Sequence, residues 1–106
     1  RDFSDYDKLK AYCNEILSGK TEIEIVSGVA KGADLLGEKY AEEFGYPVKQ
    51  FPAEWKLGRG AGHIRNTQMA NYSDTLIAFW DYKSKGTKHM IDTAREKGLS
   101  VNVCRY

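Results

Sequence analysis

Helical and strand-like spacings of apolar residues alternate along this chain from one end to the other. Tyr6, Leu9, Cys13, Ile16 and Leu17 share a helical face, which predicts a first helix capped by Ser4 or Asp5 with Gly19 just past its end. Residues 22–27 alternate around Ile23 and Ile25 and add Val26, the pattern of a strand. Leu36, Tyr40 and Phe44 then fall on one face of a second helix over 33–44, with Gly45 as its stop. A short strand over 48–51 lies between Pro47 and Pro52, and a loop holding Gly58 and Gly60 fills 53–61. Ile64 and Met69 are the inward positions of a third helix over 63–72. Residues 75–80 read as a continuous apolar run, the mark of a strand covered on both faces. A fourth helix over 87–97, closed by Gly98, and a final strand over 99–104 complete the pattern.

Strict alternation of helix and strand predicts an α/β domain with a mainly parallel sheet and helices on both faces. No internal repeat, low-complexity segment or linker divides the 106 residues, so one domain spanning 1–106 is expected. In such folds ligands sit beyond the carboxyl ends of strands, where loops meet helix N-termini. Those places follow Val26, Phe51 and Trp80, and the unusual residues gather there.

After Val26 comes Ser27-Gly28-Val29-Ala30-Lys31-Gly32-Ala33-Asp34. Glycines at a strand-to-helix turn let the backbone approach a ligand, and the helix N-terminus favours an anion such as phosphate. Lys31 adds a charge. Equally, Gly28 and Gly32 can serve only a tight turn, with Asp34 as a first-turn helix acid. After Trp80 comes a second such turn, Asp81 to His89, in which Gly86 gives backbone access and Ser84 and Thr87 supply hydroxyls. Its plainer reading makes Ser84 or Thr87 an N-cap and leaves the lysines solvated. Between them lie Trp55, able to stack on a base or to pack on the core edge, and Arg65 and Asn66, placed for phosphate or ribose contact. An exposed salt bridge is the alternative for Arg65. His63 and His89 belong to no metal-ligand spacing and to no nucleophile–base pair, so solvated or capping histidines and no metal site are expected.

Composition narrows the function. With 42% hydrophobic and 29% charged residues the chain has enough apolar material for one core. No apolar run approaches the roughly 20 residues of a membrane span. Sixteen Lys+Arg against fifteen Asp+Glu leave a net charge of +1, which speaks against blanket coating of nucleic acid. Cys13 and Cys104 read as buried free thiols rather than a disulfide, from which a reducing, cytoplasmic setting follows.

The segments RDFSDYDKL, SGVAKGAD, FPAEW, AGHIRNTQM, DTLIAFWD and SKGTKHMI follow one another in an order and spacing that resembles the YspA-like branch of the SLOG superfamily. The resemblance covers nearly the whole chain. It implies a Rossmann-like three-layer αβα sandwich with a pocket for a nucleotide or nucleotide derivative over its strand ends. The superfamily includes the lonely-guy phosphoribohydrolases, which release a base from a nucleoside monophosphate, and DNA-processing protein A, which binds single-stranded DNA. By the same resemblance Gly28, Gly32 and Asp34 form the first ligand turn, Arg65 matches an arginine of the phosphoribohydrolases, and Ser84, Gly86 and Thr87 match their phosphate turn. Their catalytic glutamate falls on Met90, whose thioether can neither act as a general base nor stabilise an oxocarbenium-like charge. The resemblance also implies a hydrophobic central strand ahead of Arg1, which would put Arg1 at the pocket rim and leave the sheet of residues 1–106 short of its first central strand.

Three functions are therefore weighed. The first is a sensor or processing domain for an AMP- or ADP-ribose-like ligand, with Arg1, Gly28, Lys31, Gly32, Asp34, Trp55, Arg65, Asn66, Asp81, Ser84, Gly86 and Thr87 as contacts and no cofactor. The second is an N-glycosidic hydrolase taking its carboxylate from Asp34, Asp81 or Glu54. The third is single-stranded DNA binding through Lys31, Lys56, Arg59, Lys83 and Lys85. A homo-oligomer is compatible with each.

Overall fold

A computed structural model describes residues 3–30, 32–58 and 60–106. Helix α1 spans Tyr6–Leu17, strand β1 Ile25–Ser27, α2 Ala33–Phe44 and β2 Val48–Gln50. A single 3-10 turn, Trp55–Leu57, leads to α3, Ala61–Tyr72. Then follow β3 (Thr75–Trp80), α4 (Lys85–Glu96) and β4 (Ser100–Arg105). The architecture is α/β and compatible with a Rossmann-like αβα fold. Among the described residues no helix is long and apolar enough to cross a membrane.

The expected boundaries move where a local contact decides them. Asp5, not Ser4, caps α1, its side chain accepting from the Lys8 N–H at 3.1 Å. Strand β1 is three residues long rather than six, because its partner β2 begins only after Pro47, whose carbonyl accepts from the Ile25 N–H. Helix α4 starts two residues early at Lys85, where Ser84 turns its hydroxyl onto the Thr87 N–H. Helix α3 likewise starts at Ala61 rather than at residue 63.

The strands are parallel, as expected, and the sheet is interrupted. They form two parallel pairs, β1 with β2 and β3 with β4. The β3–β4 ladder runs six residues from Thr75↔Ser100 to Trp80↔Arg105, whereas β1–β2 pairs only three. Between β1 and β3 the hydrogen-bonding is interrupted, and helices bridge the gap.

Helices α1 and α2 hold the larger core cluster. Leu9, Cys13 and Tyr40 are buried with Phe3 and Phe79, and Ile25, Ile77 and Cys104 pack against them. Ile77 and Phe79 sit two apart on β3 and so share that face, while Ala78 turns the other way. The second layer contains Ala61, Met69 and Ala70 of α3 with Ile91 and Ala94 of α4, all buried. Phe3 stacks on Phe79 with ring centroids 4.5 Å apart, and Tyr12 and Tyr106 close that group edge-on. Cys13 and Cys104 are free thiols, and burial pushes the Cys13 thiol up to about 11, which keeps it unreactive.

Candidate functional site

The first turn, from Ser27 into α2, is shaped by contacts from elsewhere in the chain. The Arg65 guanidinium, carried by α3, donates to the Gly28 carbonyl at 2.6 Å. A Cβ on Gly28 would stand 2.5 Å from Arg65 Nη1 and 2.9 Å from Asp34 Oδ2, so only glycine lets these two side chains close over the backbone. Ser27, fully buried, donates to Glu38 at 2.6 Å and accepts from the Val29 N–H at 3.0 Å. Val29 adopts a φ of 60°, a left-handed conformation uncommon for a β-branched residue. Gly32, at φ 84°, starts α2, and among the described residues no side chain caps that helix.

Asp34 Oδ2 accepts from the Ala30 N–H at 3.2 Å. Its carboxyl is nevertheless pushed above the usual range, because loss of water outweighs the help of the Ala30 N–H, the Arg65 charge and the Gly28 N–H. It is the one carboxylate of the three expected candidates in a desolvated position. Glu54 is exposed, and Asp81 is held below the usual range by the N–H groups of Ser84 and Lys83.

The second turn is built from its own residues. Asp81 Oδ1 accepts from the Lys83 and Ser84 N–H groups, both at 2.8 Å, an Asx-type turn. Trp80 Nε1 donates to the Ser84 carbonyl at 3.0 Å, and Ser84 Oγ accepts from both the N–H and the hydroxyl of Thr87. Ser84 thus serves as an N-cap. Gly86 stays open, with no atom within 4 Å of where a Cβ would be.

Adjacent residues of α3 join the two turns. While Arg65 reaches Gly28, buried Asn66 turns its amide to the Gly86 carbonyl at 3.3 Å and to His89 Nδ1 at 3.2 Å, and accepts from Arg65 Nε at 3.0 Å. At the rim, Trp55 is 68% exposed, with the far edge of its ring 3.7 Å from the Cβ position of Gly62, in the first turn of α3. The structure therefore brings Gly28, Asp34, Arg65, Asn66 and Gly86 together. Trp55 stands beside Arg65, and Asp81, Ser84 and Thr87 build the second turn. Arg1, Lys31 and Arg59 lie outside the described residues. Met90 lines the cleft between the two strand pairs.

The two histidines differ from the sequence expectation. They are not separate: their rings stack at 3.8 Å and within 5° of parallel. Desolvation, then the neighbouring His63, lowers the His89 pKa. Twenty-odd residues separate the pair in sequence, and no local pattern announces such a contact. Among the described residues no cluster of potential ligands is able to hold a metal.

Comparison with known proteins gives one result. The profile of the YspA, cpYpsA-related SLOG family matches residues 1–58, just over half of the chain, from the N-terminus past the first turn to the rim tryptophan. No curated protein and no solved structure matches the chain.

Proposed function

Because this chain belongs to the YspA, cpYpsA-related SLOG family, whose members point at a coarse level to binding or processing of nucleotide-related ligands, we propose that it binds an AMP- or ADP-ribose-like molecule over the carboxyl ends of β1 and β3, as a sensor or processing domain. The observation that carries the proposal is the pair Arg65 and Asn66, which ties two glycine-bearing turns into one cradle. Each turn opens onto a helix N-terminus, where free N–H groups and the helix dipole favour phosphate.

Charge decides which part of the ligand goes where. A carboxylate repels phosphate but accepts from a hydroxyl, so Asp34 suits the ribose. The open Gly86 backbone, with Thr87 and exposed Lys85, suits the phosphate. Trp55 offers a broad exposed face for the base. A nucleotide ligand and the reduced Cys13 and Cys104 both fit a cytoplasmic setting.

Isothermal titration with AMP and with ADP-ribose tests this reading. Binding by one of them is expected, weakened on the order of 5- to 100-fold by Trp55→Ala, the range for losing a stacked base. No heat at millimolar ligand, or an unchanged affinity in that variant, would overturn it.

A second reading, cleavage of an N-glycosidic bond, is supported by the desolvated Asp34 carboxyl beside Gly28, a poised acid of the kind such chemistry uses. Base release from nucleoside monophosphates that disappears in Asp34→Asn while binding survives would favour it.

A further inference from the structure

Asn66 has two hydrogen-bonding ends, and its neighbours fix which way each points. Arg65 Nε is a donor only, so the Asn66 oxygen faces it, at 3.0 Å. The Gly86 carbonyl is an acceptor only, so the Asn66 NH2 group faces that, at 3.3 Å. The same NH2 group lies 3.2 Å from His89 Nδ1, which is therefore an acceptor, a nitrogen without a proton. His89 is then neutral and carries its proton on Nε2, where Thr93 Oγ1 stands 3.5 Å away. A second proton, on Nδ1, would set N–H against N–H at a buried residue. Turning the Asn66 amide over does not relieve this, because it sets NH2 against Arg65 Nε and oxygen against the Gly86 carbonyl. The bond between Asn66 and the second turn thus depends on the protonation of His89.

We propose that a proton on His89 works the cradle as a switch: the neutral ring keeps the two turns joined through Asn66, and the charged ring parts them, so that ligand is held near neutral pH and released in acid. The release of ligand rests on the nucleotide reading above, whereas the parting of the turns does not. His89 acts through Asn66 and is a positioning residue. The groups that face it set where the switch trips. Loss of water and the His63 ring, stacked from α3 at 3.8 Å, hold its pKa below the ordinary histidine value, and Asp92 and Glu96 of α4 pull the other way. Elsewhere on α3, Arg65 turns to Gly28 and Tyr72 to Glu24, and on α4 Lys88 is paired with Asp92. Strand β3 has no titratable side chain, and in β4 Cys104 packs on the core cluster while Arg105 lies over the Tyr82 ring.

Nitrogen NMR of the ligand-free chain tests the switch itself. Neutral His89 is expected as the Nε2–H tautomer, and the Asn66 side-chain amide and the backbone amides of Gly28 and Gly86 should shift with the midpoint of His89. Calorimetric titration with ADP-ribose tests the release, because its diphosphate, unlike the AMP phosphate with a pKa of about 6, gains no proton in mild acid. Affinity is expected to fall about 10-fold by one pH unit below the His89 midpoint, as the competent fraction falls. Asp34 also titrates in the cradle, so the control is His89→Asn, which keeps Asp34 and offers Asn66 an oxygen that does not titrate. That variant should lose the His89 step and keep only a step in the carboxylate range. His63→Ala, which removes cover and a like charge, should move the His89 midpoint and the affinity step upward together. The proposal is overturned by an Nδ1–H tautomer, by an Asn66 amide that ignores the His89 midpoint, or by an unaltered pH profile in His89→Asn. No heat from ADP-ribose or AMP at any pH would instead overturn the nucleotide reading, and the spectra of the free chain would still decide the switch.

Discussion

The two glycine-bearing turns look alike in sequence, yet they are held by opposite means. The turn after β1 relies on distant residues, with Arg65 on Gly28 and Glu38 on Ser27. The turn after β3 is closed by Asp81 and Ser84, members of the turn itself. The second turn can therefore form as soon as its own few residues do, whereas the first, although Ser27 and Asp34 bind N–H groups within it, is completed only when α3 docks. A ligand that touches both reads a local structure on one side and the state of the whole domain on the other.

The sharpest way to break this contrast is to remove the link between the turns. Asn66→Ala removes a buried side chain together with its bonds to the Gly86 carbonyl, Arg65 Nε and His89, and should cost about 2 kcal/mol in urea unfolding. The loss should be accompanied by faster amide exchange in the first turn and little change in the second.

One substitution made twice should have opposite signs. Gly28→Ala drives a methyl into Arg65 and Asp34 and should destabilise by about 1–2 kcal/mol, the side-chain tips moving aside and the Arg65–Gly28 bond being lost. Gly86→Ala meets open space in the first turn of a helix and should stabilise by about 0.5–1 kcal/mol. Equal effects at both sites would end the distinction. Ser84→Ala, which removes the cap of α4, should cost about 1 kcal/mol and leave the first turn intact.

The smallest effects are in pH, and they oppose one another. Asp34 has a raised folded-state pKa, so the native state holds its proton more tightly than the unfolded chain. Its contribution to stability is greatest at acid pH and is lost as pH rises through the carboxylate range. His89 has a lowered folded-state pKa, so its contribution is present above the ordinary histidine range and is lost as pH falls through it. Melting curves from pH 3 to pH 8 should show Asp34→Asn removing the gain at the acid end and His89→Gln flattening the loss just below neutrality.

The sequence made legible what local chemistry determines. The apolar run of β3 and the Gly45 stop of α2 place both elements to the residue. The Ser84 cap was among the readings its turn allowed, and the alternation of elements told the α/β class. Contacts made across the fold were not legible. Nothing near Arg65 says that its charge turns to a carbonyl 37 residues away, and nothing near His63 says that it lies on His89. The length of β1 also escaped, because the strand ends where its partner does and Pro47 sets that point.

The chain has two tryptophans, and the fold has given one to each side of the cradle. Trp55 stands in solvent beside Arg65, whereas Trp80 is half-buried, with its indole N–H bound to the Ser84 carbonyl and Tyr82 packed edge-on at 4.5 Å. They are two intrinsic optical reporters in different surroundings, the first emitting at long wavelength and open to iodide quenching, the second shielded. Replacing either by phenylalanine leaves a protein whose fluorescence follows one side alone, so the order in which a ligand engages the two can be timed without any added label.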